Sequence, residues 1–354
     1  MHFGGGTPTY LKDEDLAGVM SSLARAFPLD VAGEREFSVE IDPRTTTAER
    51  IRFLAELGFN RMSLGVQDFD PAVQVAVNRL QSVERTAEVL NAARATGFGS
   101  VNLDLIYGLP RQTVSTFERT LDTVLQMRPD RLAVYNYAHM PHLFKVQRQI
   151  RAEELPSGDE KLAILEMTIR RLTAAGYVYI GMDHFALPDD ELAVAQRAGT
   201  LHRNFQGYST RAELDLVGLG MSAIGAVGDS YSQNHKDIVA YTEALDSGRL
   251  AVVRGVELGG DDRLRRDVIG SIMCDSAISY RRIEARHGIV FRQYFRDALA
   301  ALLPLIEDGL VVVRDQGLQV TPSGRLFLRN IAMAFDGYLK NDPTGTSSRF
   351  SRVL

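Results

Sequence analysis

The chain has 354 residues, 45% hydrophobic and 24% charged, which is ordinary globular composition with room for about two domains at ~150 residues each. Its 40 basic and 45 acidic side chains leave a net charge of −5, and no basic block marks a partner of duplex DNA or RNA. No run approaches the ~18 consecutive apolar residues of a membrane span, and Met1 leads straight into glycines rather than an apolar signal segment, so the expectation is a soluble, cytoplasmic chain.

In chain order, the first pattern is helical: Leu16, Val19, Met20, Leu23, Ala24 and Phe27 recur at i, i+3, i+4 and i+7 as one buried face, with Asp13 as the expected N-cap. Short β-like runs then alternate with helical stretches, at 36–41, 61–66, 100–106, 131–137 and 177–181, the rhythm of parallel βα units. Gly58, Gly97 and Gly176 follow helical runs, where a C′ residue often needs positive φ. The polar stretch 145–160, with Pro156-Ser157-Gly158, reads as a connection lying over the core. From about 255 the character turns mainly helical. Within it, Gly309-Leu310-Val311-Val312-Val313, the turn Asp315-Gln316-Gly317 and Leu318-Gln319-Val320 predict a hairpin, followed by a helix opening at Thr321-Pro322. Helix, hairpin and helix suggest a winged-helix-like module over 255–340, after a first domain of 1–254 and before a tail of 341–354.

The strands carry the first functional signal. Phe37, Val39 and Ile41 share one face and Ser38, Glu40 and Asp42 the other. Met62, Leu64 and Val66 alternate with Ser63, Gly65 and Gln67, and Val101, Leu103 and Leu105 with Asn102 and Asp104. A doubly wound sheet, covered on both sides, would be apolar on both faces. Two readings remain: a barrel or partial barrel with a polar lumen, or an edge-rich sheet with one solvated face. The adjoining loops, Gly4-Gly5-Gly6-Thr7-Pro8, Asp42-Pro43-Arg44, Gln67-Asp68-Phe69 and Tyr107-Gly108-Leu109-Pro110, stand where βα barrels build active sites.

These segments resemble a known family. Gly4-Gly5-Gly6-Thr7-Pro8-Thr9-Tyr10-Leu11, Glu40-Ile41-Asp42-Pro43, Gly65-Val66-Gln67-Asp68 and Asp104-Leu105-Ile106-Tyr107-Gly108-Leu109-Pro110 are similar to the oxygen-independent coproporphyrinogen III oxidases of the radical S-adenosylmethionine (SAM) superfamily. The likeness continues through Asn136-Tyr137-Ala138-His139, Gly181-Met182-Asp183-His184-Phe185-Ala186 and His202-Arg203-Asn204-Phe205-Gln206-Gly207-Tyr208. The last string and Asp189-Asp190-Glu191-Leu192 resemble the oxidase branch more than its haem-trafficking relative. The resemblance implies a partial (βα)6 barrel with SAM across the strand ends. It implies Gly5, Gly6, Thr7, Glu40, Gln67, Arg79, Asp104, Ala138 and Ile224 as SAM contacts, some of them for a second SAM molecule. It also implies a 4Fe-4S cluster, coproporphyrinogen III as substrate, an electron donor as partner, a monomer, and a C-terminal module lying over the substrate.

The family draws its cluster ligands from cysteines preceding the glycine motif, whereas this sequence has one cysteine, Cys274, in an apolar-rich segment. That count excludes an internal disulfide and a cluster site built from this sequence's thiolates. Metal ligands are therefore expected to be absent here, with the cluster confined to the full-length enzyme, whose first βα unit and cluster cysteines are expected to be missing from this sequence. The alternatives are a truncated paralogue that binds SAM or porphyrin without radical chemistry, and a haem-trafficking relative. His184 and His202 lack the spacing of a zinc site and read as hydrogen-bonding residues. Arg263, Arg265 and Arg266 are candidate partners for substrate carboxylates, or else a solvated helix face.

Overall fold

The computed structural model describes residues 1–30, 35–212 and 214–339; the expected tail at 341–354 lies outside the described residues. The chain divides into two compact units, Met1–Ala193 and a second beginning at Val194. The change of composition near 255 therefore falls inside the second unit. No helix among the described residues is long and apolar enough to cross a membrane.

The first unit runs β1 (His2–Phe3), α1 (Asp13–Ala26), β2 (Ser38–Ile41), α2 (Ala48–Glu56), β3 (Arg61–Gln67), α3 (Pro71–Ala76), α4 (Val83–Ala95), β4 (Ser100–Tyr107), α5 (Val114–Met127), β5 (Arg131–Asn136), α6 (Gly158–Ala174), β6 (Val178–Gly181) and β7 (His184–Ala186), and enters α7 (Glu191–Ala198). Each predicted strand is present. The first five pair in parallel in sequence order, but β7 runs antiparallel between β5 and β6, so the sheet order is β1-β2-β3-β4-β5-β7-β6. The parallel rhythm expected through 177–181 thus ends in a hairpin. Its second arm was hidden in the Gly181 to Ala186 motif, where three residues are too few to show a period.

Local chemistry explains the helix ends. Thr47, Ser82, Thr113 and Ser157 each accept a hydrogen bond from the N–H three residues on, and Asp70 caps α3 with Pro71 in the first position. Gly58, Gly97 and Gly176 have φ of 94°, 86° and 90°, the left-handed conformation that lets the chain leave a helix and enter a strand. Helix α1 departs from expectation at its start: Lys12, whose side chain makes no capping bond, precedes it, and Asp13 sits in its first turn and pairs with Arg50. Its apolar face is only half covered, with Leu16 and Met20 buried but Val19 and Phe27 exposed.

In β2, β3 and β4 the alternation holds residue by residue. Val39, Ile41, Met62, Leu64, Val66, Val101, Leu103 and Leu105 are buried, while Ser38, Glu40, Ser63, Asn102 and Asp104 keep intermediate exposure. Burying one apolar face at roughly 25 cal/mol per Å2 stabilises the sheet; the other face is left free for polar chemistry.

The second unit continues from the end of α7 through β8 (His202–Asn204), β9 (Gly207–Ser209), β10 (Ile224–Val227), β11 (Ser230–Asn234), α8 (Ile238–Asp246), β12 (Val252–Glu257), α9 (Gly260–Asp275), β13 (Ala277–Ser279), α10 (Tyr280–His287), α11 (Phe291–Tyr294), α12 (Arg296–Ala301), α13 (Leu303–Glu307), β14 (Val311–Arg314), β15 (Gly317–Val320) and α14 (Leu328–Met333). The predicted hairpin is β14–β15, joined by β13 into a three-stranded sheet. The helix expected at Thr321-Pro322 starts later: Thr321 accepts from Gly324 N–H, a 3-10 turn follows, and the α-helix begins at Leu328. Tyr280, Phe291, Phe295 and Phe335 are buried together, with Phe291 stacked on Tyr280 at 4.3 Å between centroids.

Candidate active site

The polar face of β1 to β4 brings its side chains together along the strands and under the loop that follows β1. In the Gly4 to Thr7 loop after β1, Gly5 and Gly6 have φ of 80° and 66° with open space where a Cβ would stand. A Cβ on Gly4 would lie 2.4 Å from His2 Nε2 and 2.9 Å from Glu40 Oε1, so this glycine permits close approach of backbone to carboxylate. Glu40 accepts from Gly5 N–H at 3.0 Å and faces His2 Nε2 at 3.5 Å; His2 Nδ1 meets Ser38 Oγ at 2.8 Å. The His2 contact, with the Gly5 N–H, outweighs burial and holds the Glu40 carboxyl below its ordinary pKa.

One strand further, Ser63 Oγ donates to Asp104 Oδ2 at 2.5 Å, and Asn102 Nδ2 donates to Asp104 Oδ1 at 2.7 Å and to Ser63 Oγ at 2.8 Å. Burial raises the Asp104 pKa to about 6 despite those donors, and the Glu40 charge pushes the same way. Two carboxylates on one face thus differ: Glu40 is anionic, and Asp104 exchanges its proton near neutrality.

Gln67 reaches the face by a route that alternation does not describe. The β3–β4 register shifts between Gly65 and Gln67, and Gln67 takes φ of 68°. Gln67 Nε2 and Arg79 Nη2 then lie 3.0 and 3.3 Å from where a Gly65 Cβ would be, which brings Gln67 and Arg79 together over a residue that must be small. Arg79 donates to Gly65 O at 2.7 Å and to Asp42 Oδ2 at 3.3 Å, while its Nε is buried without a hydrogen-bond partner among the described residues. Asp42 is also held by Arg44. Burial alone would raise its pKa, but the Arg44 bonds and the Arg79 charge take it below the usual range.

Buried amides fix these loops. Gln74 donates to Asp68 O and Gln81 O and accepts from Gln81 N–H, pinning the turn that carries Arg79. Gln112 donates to Asp68 and Ile106 O and accepts from Gly108 and Leu109 N–H, and Thr120 also donates to Asp68. Sequence reading placed these loops at the rim and put Ser63 and Asn102 on the polar face, but gave neither of them, nor His2, Gln74 and Gln112, a part in the site; the partners of His2 and Ser63 lie more than 35 residues away, and the glutamines are set by local turns that carry no periodic pattern.

Two of the other expected contacts stand outside strands β1 to β4. The Ala138 carbonyl, beyond β5, accepts from Gln147 Nε2 at 3.0 Å. Ile224 opens β10 in the second unit, opposite Gln233. The arginines of α9 each have a partner: Arg263 bonds Asp229 and Leu258 O, Arg265 bonds Asp261 and Phe335 O, and Arg266 stands 3.7 Å from Asp229. Among the described residues no cluster of His, Cys, Asp and Glu could hold a metal. Cys274 is buried and its thiol is pushed up to about 12, chiefly by burial, so it is not a thiolate.

The radical SAM superfamily model matches residues 1–124, and the HemN C-terminal domain model matches 258–327. The chain is 51% identical over its whole length to the oxygen-independent coproporphyrinogen III oxidase of Pseudomonas aeruginosa and spans 76% of that protein. It is 49% identical to the enzyme of the same name from Escherichia coli K12, over 77% of its length. The solved coproporphyrinogen III oxidase of Escherichia coli, described as a radical SAM enzyme, superposes with a TM-score of 0.92 at 50% identity over 95% of this chain and 77% of that one. This chain belongs to the oxygen-independent coproporphyrinogen III oxidases. It has their α/β radical SAM fold with a helical C-terminal part.

The polar face has the chemistry to hold SAM as this family does. Two glycines with open space, an anionic carboxylate, a proton-exchanging carboxylate and an arginine with a spare N–H complement the ammonium, hydroxyls and carboxylate of that molecule. A 4Fe-4S cluster finds no such fit, because one buried neutral thiol is not a ligand set.

Proposed function

We propose that the chain serves the oxidative decarboxylation of two propionates of coproporphyrinogen III to vinyls, giving protoporphyrinogen IX in haem synthesis. The observation that carries this is the convergence of Glu40, Ser63, Asn102 and Asp104 with the Gly4 to Thr7 loop on one polar face, in a chain half identical to enzymes so named. SAM, when bound, supplies hydrogen-atom abstraction from the propionate side chain. Gly5, Gly6 and Thr7 present backbone and hydroxyl groups to its methionine part, Glu40 and Asp104 accept from ammonium or ribose hydroxyls, and Arg79 with Gln67 addresses a carboxylate. Ala138 and Ile224 complete the contacts, and part of the set serves a second SAM molecule. Arg263, Arg265 and Arg266 are candidates for the substrate's carboxylates. The C-terminal module lies over the substrate, and the protein works as a cytoplasmic monomer with an electron donor, apart from membranes and nucleic acids. The 4Fe-4S cluster takes its thiolates from outside this sequence.

Cys274 as the one cysteine favours a second reading for the sequence taken alone, in which it binds SAM or porphyrin without radical chemistry. Calorimetric titration with SAM tests what both share. Glu40→Gln keeps shape and removes charge, so affinity is expected to fall roughly ten- to hundredfold, for ~1.5–3 kcal/mol in a charge-assisted hydrogen bond. Wild-type protein that takes up no SAM refutes the reading, and unchanged affinity in Glu40→Gln removes Glu40 from the site.

A further inference from the structure

Lys161 is the fourth residue of α6, and nothing in the helical pattern sets it apart from the other charged residues of that turn. Its position in the fold does. Its stem runs alongside the Tyr107 to Pro110 loop at the end of β4: a Cβ on Gly108 would stand 3.0 Å from Lys161 Cε, 3.4 Å from Lys161 Cδ and 3.3 Å from Asn136 Oδ1. Gly108 also has φ of 84°, so both backbone and space demand glycine there, and the lane it leaves open is filled by the lysine stem. The end of the lysine stem thus lies at the C-terminal ends of β4 and β5, on the strand that carries Asp104 three residues before its end.

Lys161 is half-buried, and among the described residues no carboxylate forms an ion pair with it and no acceptor bonds its ammonium. Of the acids nearest in sequence, Glu154 pairs with Arg111 and Arg151, Glu160 accepts from Val114 N–H, and Asp159 is exposed and forms no ion pair with Lys161. Burial with no anion to offset it holds the Lys161 pKa below the ordinary lysine value. A cation kept partly from water at a strand-end rim, with no anion of its own, is matched to an anion brought by a ligand.

We propose that Lys161 is a binding residue for a ligand carboxylate at the β4–β5 rim. The inference rests on the function proposed above, whose two small molecules both carry carboxylates, the methionine carboxylate of SAM and the propionates of the porphyrinogen. Lys161→Met keeps the stem and removes the charge, and Lys161→Arg keeps the charge; Lys161→Gln replaces the methionine variant should that fail to fold. Each protein is titrated calorimetrically with SAM, with methylthioadenosine as its carboxylate-free counterpart, with coproporphyrin III and with coproporphyrin III tetramethyl ester. The expected result is a roughly ten- to hundredfold loss of affinity in Lys161→Met for SAM or for coproporphyrin III, little change for the corresponding carboxylate-free ligand, and recovery to within a few-fold in Lys161→Arg. Whichever ligand loses affinity identifies the source of the carboxylate. Equal losses for charged and uncharged ligands, or none, overturn the assignment of Lys161 while wild-type binding stands. Wild-type protein that binds neither SAM nor coproporphyrin III overturns the functional reading and the lysine's role with it.

Discussion

Asp104 keeps a carboxylate where water is scarce, and its raised pKa translates into stability that depends on pH. The folded group holds its proton up to about pH 6 whereas the unfolded one releases it near 3.8. Its contribution is therefore fully present below about pH 4 and is lost as pH rises through about 6, a change on the order of 2–3 kcal/mol at ~1.4 kcal/mol per pKa unit. Asp104→Asn removes the penalty of the buried charge, and its amide can donate to Ser63 Oγ. In the absence of SAM the variant should melt higher than wild type at pH 7.5 and level with it near pH 4. Thermal denaturation at the two values checks this, and an equal gap at both would show that the carboxylate ionises without cost. The carboxylates of this site were legible in the sequence because a period of two puts Glu40 and Asp104 on one face. The same period puts Ser63 and Asn102 there, but their role, like that of His2, comes from the carboxylate each of them faces and has no sign in the sequence.

At the scale of elements, the rim depends on buried amides as much as on the strands. Gln112 alone serves four groups, Asp68, Ile106 O and the N–H groups of Gly108 and Leu109. Gln112→Ala leaves a buried carboxylate short of a donor and two N–H groups short of an acceptor, at a cost of about 2–4 kcal/mol. Urea unfolding should show a lower midpoint with an unchanged slope; a midpoint equal to wild type would mean that water replaces the amide. None of this could be read beforehand, since Gln112 and Asp68 are 44 residues apart and a lone glutamine after a proline loop has no pattern. Strands β2 to β4 were legible because one covered face enforces alternation, and β5 because it is a short apolar run, buried at Leu132, Ala133 and Val134. Strand β7 was not, and the register shift at Gln67 hid behind a residue that plain alternation also places on the polar face.

At the scale of the whole molecule, the comparisons bear out the family and fold read from the glycine loop and the strand-end motifs. The C-terminal hairpin could be found while its third strand could not, because β13 is three residues long and pairs with β15, some forty residues on. Another expected motif, Asp189-Asp190-Glu191-Leu192, proves to act away from the site. Arg131 at the foot of β5 bonds Asp190 at 2.8 Å and Glu191 at 3.0 Å, and Glu191 also takes Arg61 at the foot of β3 at 2.7 Å. Glu191→Gln should lower the melting midpoint of the protein, with about 1–3 kcal/mol lost from partly buried charge pairs, and leave SAM affinity as in wild type. A weakened affinity would tie the foot of the sheet to its head. Strands β3 and β5 are thus fastened at their feet, so that tolerance to heat and salt can be traded at the base of the sheet while the loops at the opposite strand ends keep their aim.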